Sequence, residues 1–544
     1  MARTIVRAGP PVKLPVRRAA ARVTGDGCVP RTPSLHSCPM SHLHLSSRFV
    51  TQLPGDLSLD NAPRPVKGAL WSKVAPTPVA APRLVLCAPD VAALLGLTPA
   101  DVEALVPVLA GNALAEGSTP FAANYGGHQF GNWAGQLGDG RAIGLGELNG
   151  YELQLKGAGP TPYSRRADGR AVLRSSIREF LCSEAMHHLG VPTTRALALV
   201  KTGEDVVRDL LYDGHPEAEP GAIVCRVAPS FLRFGTFELP AARDDVALLQ
   251  KLFDFTRTQY FPELPDAEAV LHEVARRTAR LVAHWQAVGF VHGVMNTDNM
   301  SMLGLTLDYG PYGWTDDFNP GWTPNTTDAR ERRYRYGNQP AVGMWNVERL
   351  GVALLPLMGD DEAKLEAALL EYQRAFETAA ADRWAAKLGV KNDADFIGFV
   401  NELFAWLGEV ETDMTLFFRG LSAVLKQAQP TRFPDALRPA FYGEPGEAHL
   451  ARGLAWLSRW WHQARHAGAT AAQLDAQNPK YVLRNWLAQE AIDAAHAGDE
   501  SKLRALYQVV QRPFDEQPGQ EHFAQKRPEW ARNRPGCSSL SCSS

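Results

Sequence analysis

Near Asp244 the hydrophobic period of the chain changes, and this one shift limits the available folds more than any other feature. From about Trp71 to Val200 glycine is dense and short apolar alternations recur, as in AIGLGEL, YELQLKG and RALALV. Side chains that alternate two by two point to opposite faces of an extended backbone, so these runs predict strands joined by glycine turns. One helix interrupts them, from about Arg174 to Leu189. Beyond Asp244 the apolar residues recur at about 3.6 positions, as in DDVALLQKLFDFTRTQYF, AEAVLHEVARRTARLVAHWQAVG, VERLGVALLPLM, AKLEAALLEYQRAFETAAADRWAAKLG and FIGFVNELFAWLGEVE, which predicts long amphipathic helices. The expected fold is therefore α+β and two-lobed: a β-rich N-lobe over residues 60–240, then a larger helical C-lobe over 241–512. No repeat of roughly 20 to 50 residues is present, which excludes solenoids.

The ends differ from this body. Residues 1–40 hold Arg3, Arg7, Lys13, Arg17, Arg18, Arg22 and Arg31 against the single acid Asp26, with no apolar pattern, so a disordered extension is expected. It is either an over-long start, since Met40 begins more ordinary sequence, or an organelle transit peptide. The first implies a cytoplasmic protein, the second a mitochondrial one. Residues 513–544 are polar and proline-bearing and read as a flexible tail. The seven cysteines are odd in number and show no CxxC pair, so reduced thiols are expected, with Cys537 and Cys542 exposed in the tail CSSLSCSS.

Charge and hydropathy narrow the partners. A net charge of -3 lacks the basic excess of a phosphate-tracking protein and argues against nucleic acid. No run reaches the roughly 20 apolar residues that span a bilayer, which argues against a membrane protein.

The chemistry concentrates in a few segments. In HGVMNTDNMSMLGLTLDYG, Asp298, Asn299 and Asp308 are oxygen donors of the kind that hold a divalent ion beside a nucleotide. In YELQLKGAG, alternation sets Leu153 and Leu155 on one face and Gln154 and Lys156 on the other. Lys156 at the strand end is either solvated or aimed at a phosphate. RSSIREFLCSEAMHHLG carries Glu179 and Glu184 one turn apart, either of which could meet that lysine, while Ser176-x-x-Glu179 also fits a capping box. AGQLGDGRA and RRADGRA offer Gly138, Gly140 and Arg141, then Asp168 and Gly169, as anion-binding turns or as plain hairpin turns. In CRVAPSFLRFG, Arg226 and Arg233 stand seven residues apart among apolar neighbours. A buried guanidinium needs a partner, either a carboxylate or a polyphosphate.

A strand lysine, a helix glutamate, then a metal-binding Asn and an Asp-x-Gly is the order of parts in a protein kinase. Setting HGVMNTDN against the kinase catalytic loop brings His292 and Asn299 onto its His and Asn, and puts Val294 where the catalytic aspartate belongs. Valine cannot accept a hydroxyl proton, so ordinary phosphoryl transfer is not expected. Asp298 is the remaining carboxylate.

These segments closely resemble the selenoprotein O family of kinase-like proteins from about Lys73 onward, and the chain looks like a bacterial YdiU-like member with Cys542 in place of selenocysteine. The resemblance implies a protein-kinase-like two-lobed fold with a C-terminal helical extension. It also implies transfer of AMP from ATP to Ser, Thr or Tyr hydroxyls of proteins, the chain itself among the acceptors, with release of pyrophosphate, and of UMP from UTP when Mn²⁺ is present. By the same resemblance Lys156 holds the triphosphate and pairs with Glu179. Gly138, Gly140, Arg141, Asp168, Gly169, Arg226 and Arg233 line the nucleotide, Asn299 and Asp308 bind Mg²⁺ or Mn²⁺, and Asp298 is the proton acceptor. The competing expectation is a nucleotide-binding pseudokinase that serves as a redox-linked scaffold. A disulfide from tail to activation loop, known in some bacterial members, is not expected, because DDFNPGWTPNTTDARERRYRYGNQ has no cysteine.

Overall fold

Strand pairing starts from the alternating segments identified above. A computed structural model describes residues 36–37, 43–209 and 214–541, all within one unit, His36–Ser544. Of the expected 1–40 extension only His36 and Ser37 are among the described residues; they pair in parallel with Ala113 and Leu114. The nine-stranded sheet is built from β1 (Gly55–Asp56), β2 (Trp71–Lys73), β3 (Arg83–Cys87), β4 (Phe121–Ala123), β5 (Ala142–Leu148), β6 (Tyr151–Lys156), β7 (Ala171–Val172), β8 (Arg195–Arg208) and β9 (Glu217–Ala228). Its order is β1-β2-β4-β5-β6-β9-β8-β3, with β7 beside β9. In β6, Leu153 and Leu155 are buried as the alternation requires, but Gln154 is also only 2% exposed. The second face is covered too, by polar groups rather than by water.

The helix after β7, α1 (Leu173–His188), enters directly from the strand: its N-cap is Val172 and no side chain caps it. The expected capping box is absent. Ser176 lies inside the helix, and Glu179 falls in the second turn instead of the first. Nearly every α1 side chain from Leu173 to Met186 is buried, because α1 is packed on both sides. One side meets β8 and β9, and the other meets α5 (Asn485–His496) and α6 (Ser501–Val510), defined below. Such a helix must neutralise its charges internally. Arg174 forks onto Glu219 (3.0 and 2.8 Å), and Arg178 donates to Tyr312 O (2.8 Å).

The helical lobe follows the predicted segments: α2 (Ala267–Val288), α3 (Gln339–Leu354) and α4 (Glu362–Leu388), with Val246–Tyr260 and Phe396–Leu407 beside them. The mixed α+β expectation, a sheet lobe with many helices, holds. The last two helices, α5 and α6, pack on α1. Burial of Leu487, Ile492, Leu503 and Leu506 there contributes about 2 kcal/mol each.

The tail departs from expectation. Residues 513–541 are docked: Thr326 N donates to Leu540 O and Leu540 N to Pro324 O, both at 2.8 Å. Asn485 Nδ2 holds Cys537 O at 2.9 Å. Cys537 is 3% exposed rather than free in solvent, and burial pushes its thiol up to about 12. Composition suggested a loose tail; backbone pairing and Leu540 burial override it. Cys542 lies outside the described residues. Among the described residues no helix is long and apolar enough to cross a membrane.

Candidate active site

The strands Phe290–Val291 and Gly313–Trp314 pair antiparallel and close the loop that carries the metal-type residues. Phe290, Tyr309, Tyr312 and Trp314 pack ring to ring at its base. His292, aligned above with a kinase histidine, is buried among them. Its Nδ1 accepts from Val294 N at 3.3 Å, so Nε2–H donates to Leu307 O at 2.9 Å. This histidine braces the loop and stays clear of the chemistry. Met300 and Thr306 bridge across the Gly304 turn, a short hairpin between the two acidic motifs.

Facing this loop, the ends of β6 and β9 complete a cleft of about 680 Å³. Lys156, the last residue of β6, pairs with Glu179 of α1 and lies 3.2 Å from Asp308. Register sets Arg226 of β9 opposite Gln154 of β6. Its guanidinium donates to Gln154, Glu179 (3.1 Å) and Asp308. Arg233 pairs with Asp308, donates to Asp298 O at 2.6 Å and stands 4.9 Å from the Tyr125 ring centre. Asp308 is thus the hub of three cations. Burial alone would push its carboxyl up, and Arg233, Arg226 and Lys156 together hold it well below the usual carboxylate range. Its backbone sits at φ +56°, a left-handed conformation that aspartate tolerates better than most residues.

The choice between the two helix glutamates is now decided. Glu184 faces away from the cleft, where Arg195 grips it through two bonds of 2.8 and 2.6 Å. Arg226 and Arg233 show the carboxylate pairing that the sequence left open beside the phosphate pairing.

Asp298 occupies the short turn Thr297–Asn299. Gln129 Nε2 reaches its Oδ2 at 3.2 Å, while its buried Oδ1 has no hydrogen-bond partner among the described residues. Burial pushes this carboxyl up to about 7, against the opposing pull of Arg233. A Cβ on Gly127 would come within 2.8 Å of that Oδ1, so glycine lets the Gly126–Gln129 strand close over it. Asn299 donates its Nδ2 to Val294 O at 3.0 Å, which leaves the amide oxygen to face other partners. Asp308 and Asn299 both line the cleft, and carboxylate and amide oxygens are the hard donors that suit a small divalent cation.

The glycine turns divide by role. Gly138 has φ +73°, its N–H is taken by Tyr125 O at 3.1 Å, and a Cβ there would lie 2.3 Å from the Tyr163 ring. It is glycine for close packing, and its amide is not free for an anion. Gly140 lies against Tyr163 O, and Ser164 Oγ donates to its carbonyl. At Gly169 a Cβ would meet Gly159 O at 2.1 Å. Asp168 lies at the mouth of the cleft with its carboxylate forked onto Arg208 at 2.8 and 2.7 Å. Arg141 lines the cleft, and among the described residues no carboxylate pairs with it.

Two groups escaped the sequence reading. Asp139, between the two glycines, is 3% exposed and accepts from Ala123 N (3.2 Å), Tyr125 Oη (3.1 Å) and Gln154 Nε2 (3.1 Å), with Arg233 at 3.8 Å. Burial pushes its carboxyl up. Gln154 links that acid to Arg226. The signal was an acid within a glycine turn, hidden because Asp-Gly is also a common turn dipeptide. Lys156, Arg141, Arg226 and Arg233 face Glu179, Asp139, Asp298 and Asp308, with Arg165, Arg166, Arg170 and Arg208 beside Asp168 nearer the mouth; burial drives Asp139 and Asp298 toward the neutral form and pulls Lys156 down as well. The cleft has positive character to offer an anion.

Comparison with known proteins gives one consistent result. A family model described as "Protein adenylyltransferase SelO" matches residues 58–511. The chain is similar to "Protein nucleotidyltransferase YdiU" of Xanthomonas campestris pv. campestris (strain B100), 58% identical over 525 residues that cover 93% of this chain and 100% of the relative. The protein of the same description from Azoarcus sp. (strain BH72) is 57% identical over 524 residues, with the same coverage. That of Nitrosospira multiformis is 54% identical over 542 residues, 92% of this chain and 96% of the relative.

Proposed function

Because the chain belongs to the protein adenylyltransferase SelO family, and so is a nucleotidyltransferase that uses ATP and protein substrates, we propose that this cleft joins AMP to a protein hydroxyl. The observation that carries the site assignment is the cluster of Lys156, Arg226 and Arg233 around Asp308, with the unpartnered Asp298 Oδ1 beside it. A cation cluster of this kind suits a triphosphate, and an acid in its midst suits a divalent ion that neutralises the same phosphates.

Each residue has a role in this reading. The oxygen of a Ser, Thr or Tyr hydroxyl forms a bond to the α-phosphorus of ATP, the bond from that phosphorus to the bridging oxygen breaks, and pyrophosphate leaves. Asp298 takes the hydroxyl proton, since its residue lines the cleft and burial holds its carboxyl at about 7, where a base can both take and release a proton. Lys156, Arg226, Arg233 and Arg141 hold the phosphates. Glu179 keeps Lys156 and Arg226 in place, while Gly138, Gly140 and Gly169 with Asp168 shape the wall. Asp308 and Asn299, with oxygen donors, would hold Mg²⁺ or Mn²⁺; the ion supplies charge neutralisation for the leaving pyrophosphate. When the phosphates arrive, the arginines exchange carboxylate partners for phosphate oxygens, so both sequence readings of Arg226 and Arg233 apply in turn. UMP transfer from UTP and modification of the chain itself follow from the same chemistry.

ATP labelled separately at the α- and γ-phosphates tests the reading. Label from the α-position on protein, lost on chelation and restored by a divalent ion, is the expected result. Label from the γ-position would restore the kinase reading that Val294 opposes, and no transfer would favour the scaffold.

A further inference from the structure

We infer that a second cavity, remote from the cleft and lined by Arg383 and Lys387, binds a small phosphate-type oxyanion. Both residues lie on one face of α4, one turn apart. The cavity measures about 270 Å³ and is completed by His284 and Val288 of α2, Gln477 and Phe514. Lys387 is 5% exposed. Among the described residues no carboxylate pairs with it, and its Nζ contacts only ring faces, 4.8 Å from the centre of Phe418 and 5.9 Å from that of Trp384. Among the described residues no acid lines this cavity.

The acids nearby are already committed. Asp382 on α4 accepts from Asn392. Asp90 and Glu184 lie within 4.8 Å of His188 at the rim, and Arg195 holds them at 2.5 and 2.6 Å. Of the other fully buried cations, Arg174, Arg226, Arg233 and Arg484 have carboxylate partners, and Arg178 has a backbone carbonyl, Tyr312 O, as the cost of burying a lone charge requires. At Arg383 and Lys387 no such carboxylate is found among the described residues, and an anion of small volume takes its place. Burial pulls Lys387 down to about 7 and Arg383 to about 10, and burial with Arg383 pulls His284 to about 3; a bound anion would push each of them back up. A neighbouring cavity of about 540 Å³ shares Arg383 and Gln477 and adds Arg280 and Arg374, with Glu371 and Asp382 also in its lining. An organic group attached to the phosphoryl group would fit there. The inference does not depend on the nucleotide reading of the cleft.

Equilibrium dialysis of the full chain against radiolabelled inorganic phosphate tests it, with Lys156→Met to weaken binding in the cleft. Expected is a phosphate site that survives Lys156→Met and binds at least about tenfold more weakly in Lys387→Met, the loss of one charge-assisted contact. Arg383→Met, at a half-exposed position, gives the same answer should Lys387→Met fail to fold. Competition by phosphoserine better than by inorganic phosphate would identify an esterified phosphoryl group as the ligand, and the reverse order a free ion. Absence of phosphate binding in Lys156→Met, or equal binding in the Arg383→Met variant, overturns the inference.

Discussion

Glu179→Gln and Glu184→Gln remove one charge each from buried carboxylates of the same helix, and the two should behave differently. At Glu179 the Arg226 contact is 3.1 Å, an attraction of roughly 5 kcal/mol at an effective dielectric constant of about 20. Glutamine keeps an acceptor oxygen and is cheaper to bury, so the net loss of stability should be about 3 kcal/mol, the low end for a broken buried pair. The functional loss should be larger. Without Glu179, Lys156 is left with Asp308 alone, 3.2 Å away, and a lysine drawn onto that acid competes with the metal and is displaced from the phosphates. A shift of about 1 Å in a positioning group can cost about a hundredfold in rate. Glu184→Gln loosens Arg195 with a similar stability cost, yet leaves Lys156, Arg226 and Asp308 in place. The assay is kcat/KM for transfer of α-label to protein, with thermal melting of both variants. Full transfer by Glu179→Gln, or an equal loss in Glu184→Gln, would refute the reasoning.

Other substitutions probe the remaining parts of the molecule. Asp308→Ala should abolish α-label transfer and destabilise the fold by about 3–5 kcal/mol, because three cations lose their shared partner; a folded variant with full transfer defeats the metal-site assignment. Asp298→Asn should lower kcat by at least about a hundredfold with little change in KM for ATP, and steady-state kinetics showing the opposite split would remove it as the base. Gly138→Ala should cost roughly 3 kcal/mol through a left-handed backbone and the Tyr163 ring, visible in denaturant unfolding; an unchanged midpoint contradicts the packing account. Cys537 should resist alkylation at pH 8 until the chain is unfolded, since a thiol pushed up to about 12 is almost wholly protonated there, and rapid labelling of the native protein would show the tail to be undocked.

Lys156 and the Asp298, Asn299 and Asp308 set could be read from the chain because strand alternation and short loop spacing are local properties. Glu179 could not be separated from Glu184 that way: the two are little more than a turn apart, and which one faces the lysine depends on the rotation of α1 against the sheet. Asp139 and Gln154 were missed for a related reason. Their neighbours come from β4, β5 and β9, far apart in sequence, and a glycine turn at Gly138–Gly140 looks the same whether its acid is buried or solvated. The tail was misjudged because polar composition says nothing of a partner strand more than two hundred residues away, and Leu540 meets Pro324 and Thr326 there.

The chain alone determined the two textures, β-rich then helical, and the residue types of the site, since hydrophobic period and donor chemistry are written locally. Tertiary structure decided which charges meet. Whether Arg226 faces an acid, which glutamate holds Lys156, and that Arg383 and Lys387 form no ion pair among the described residues all depend on long-range packing, where distances of a few ångströms set electrostatic energies that no sequence interval encodes.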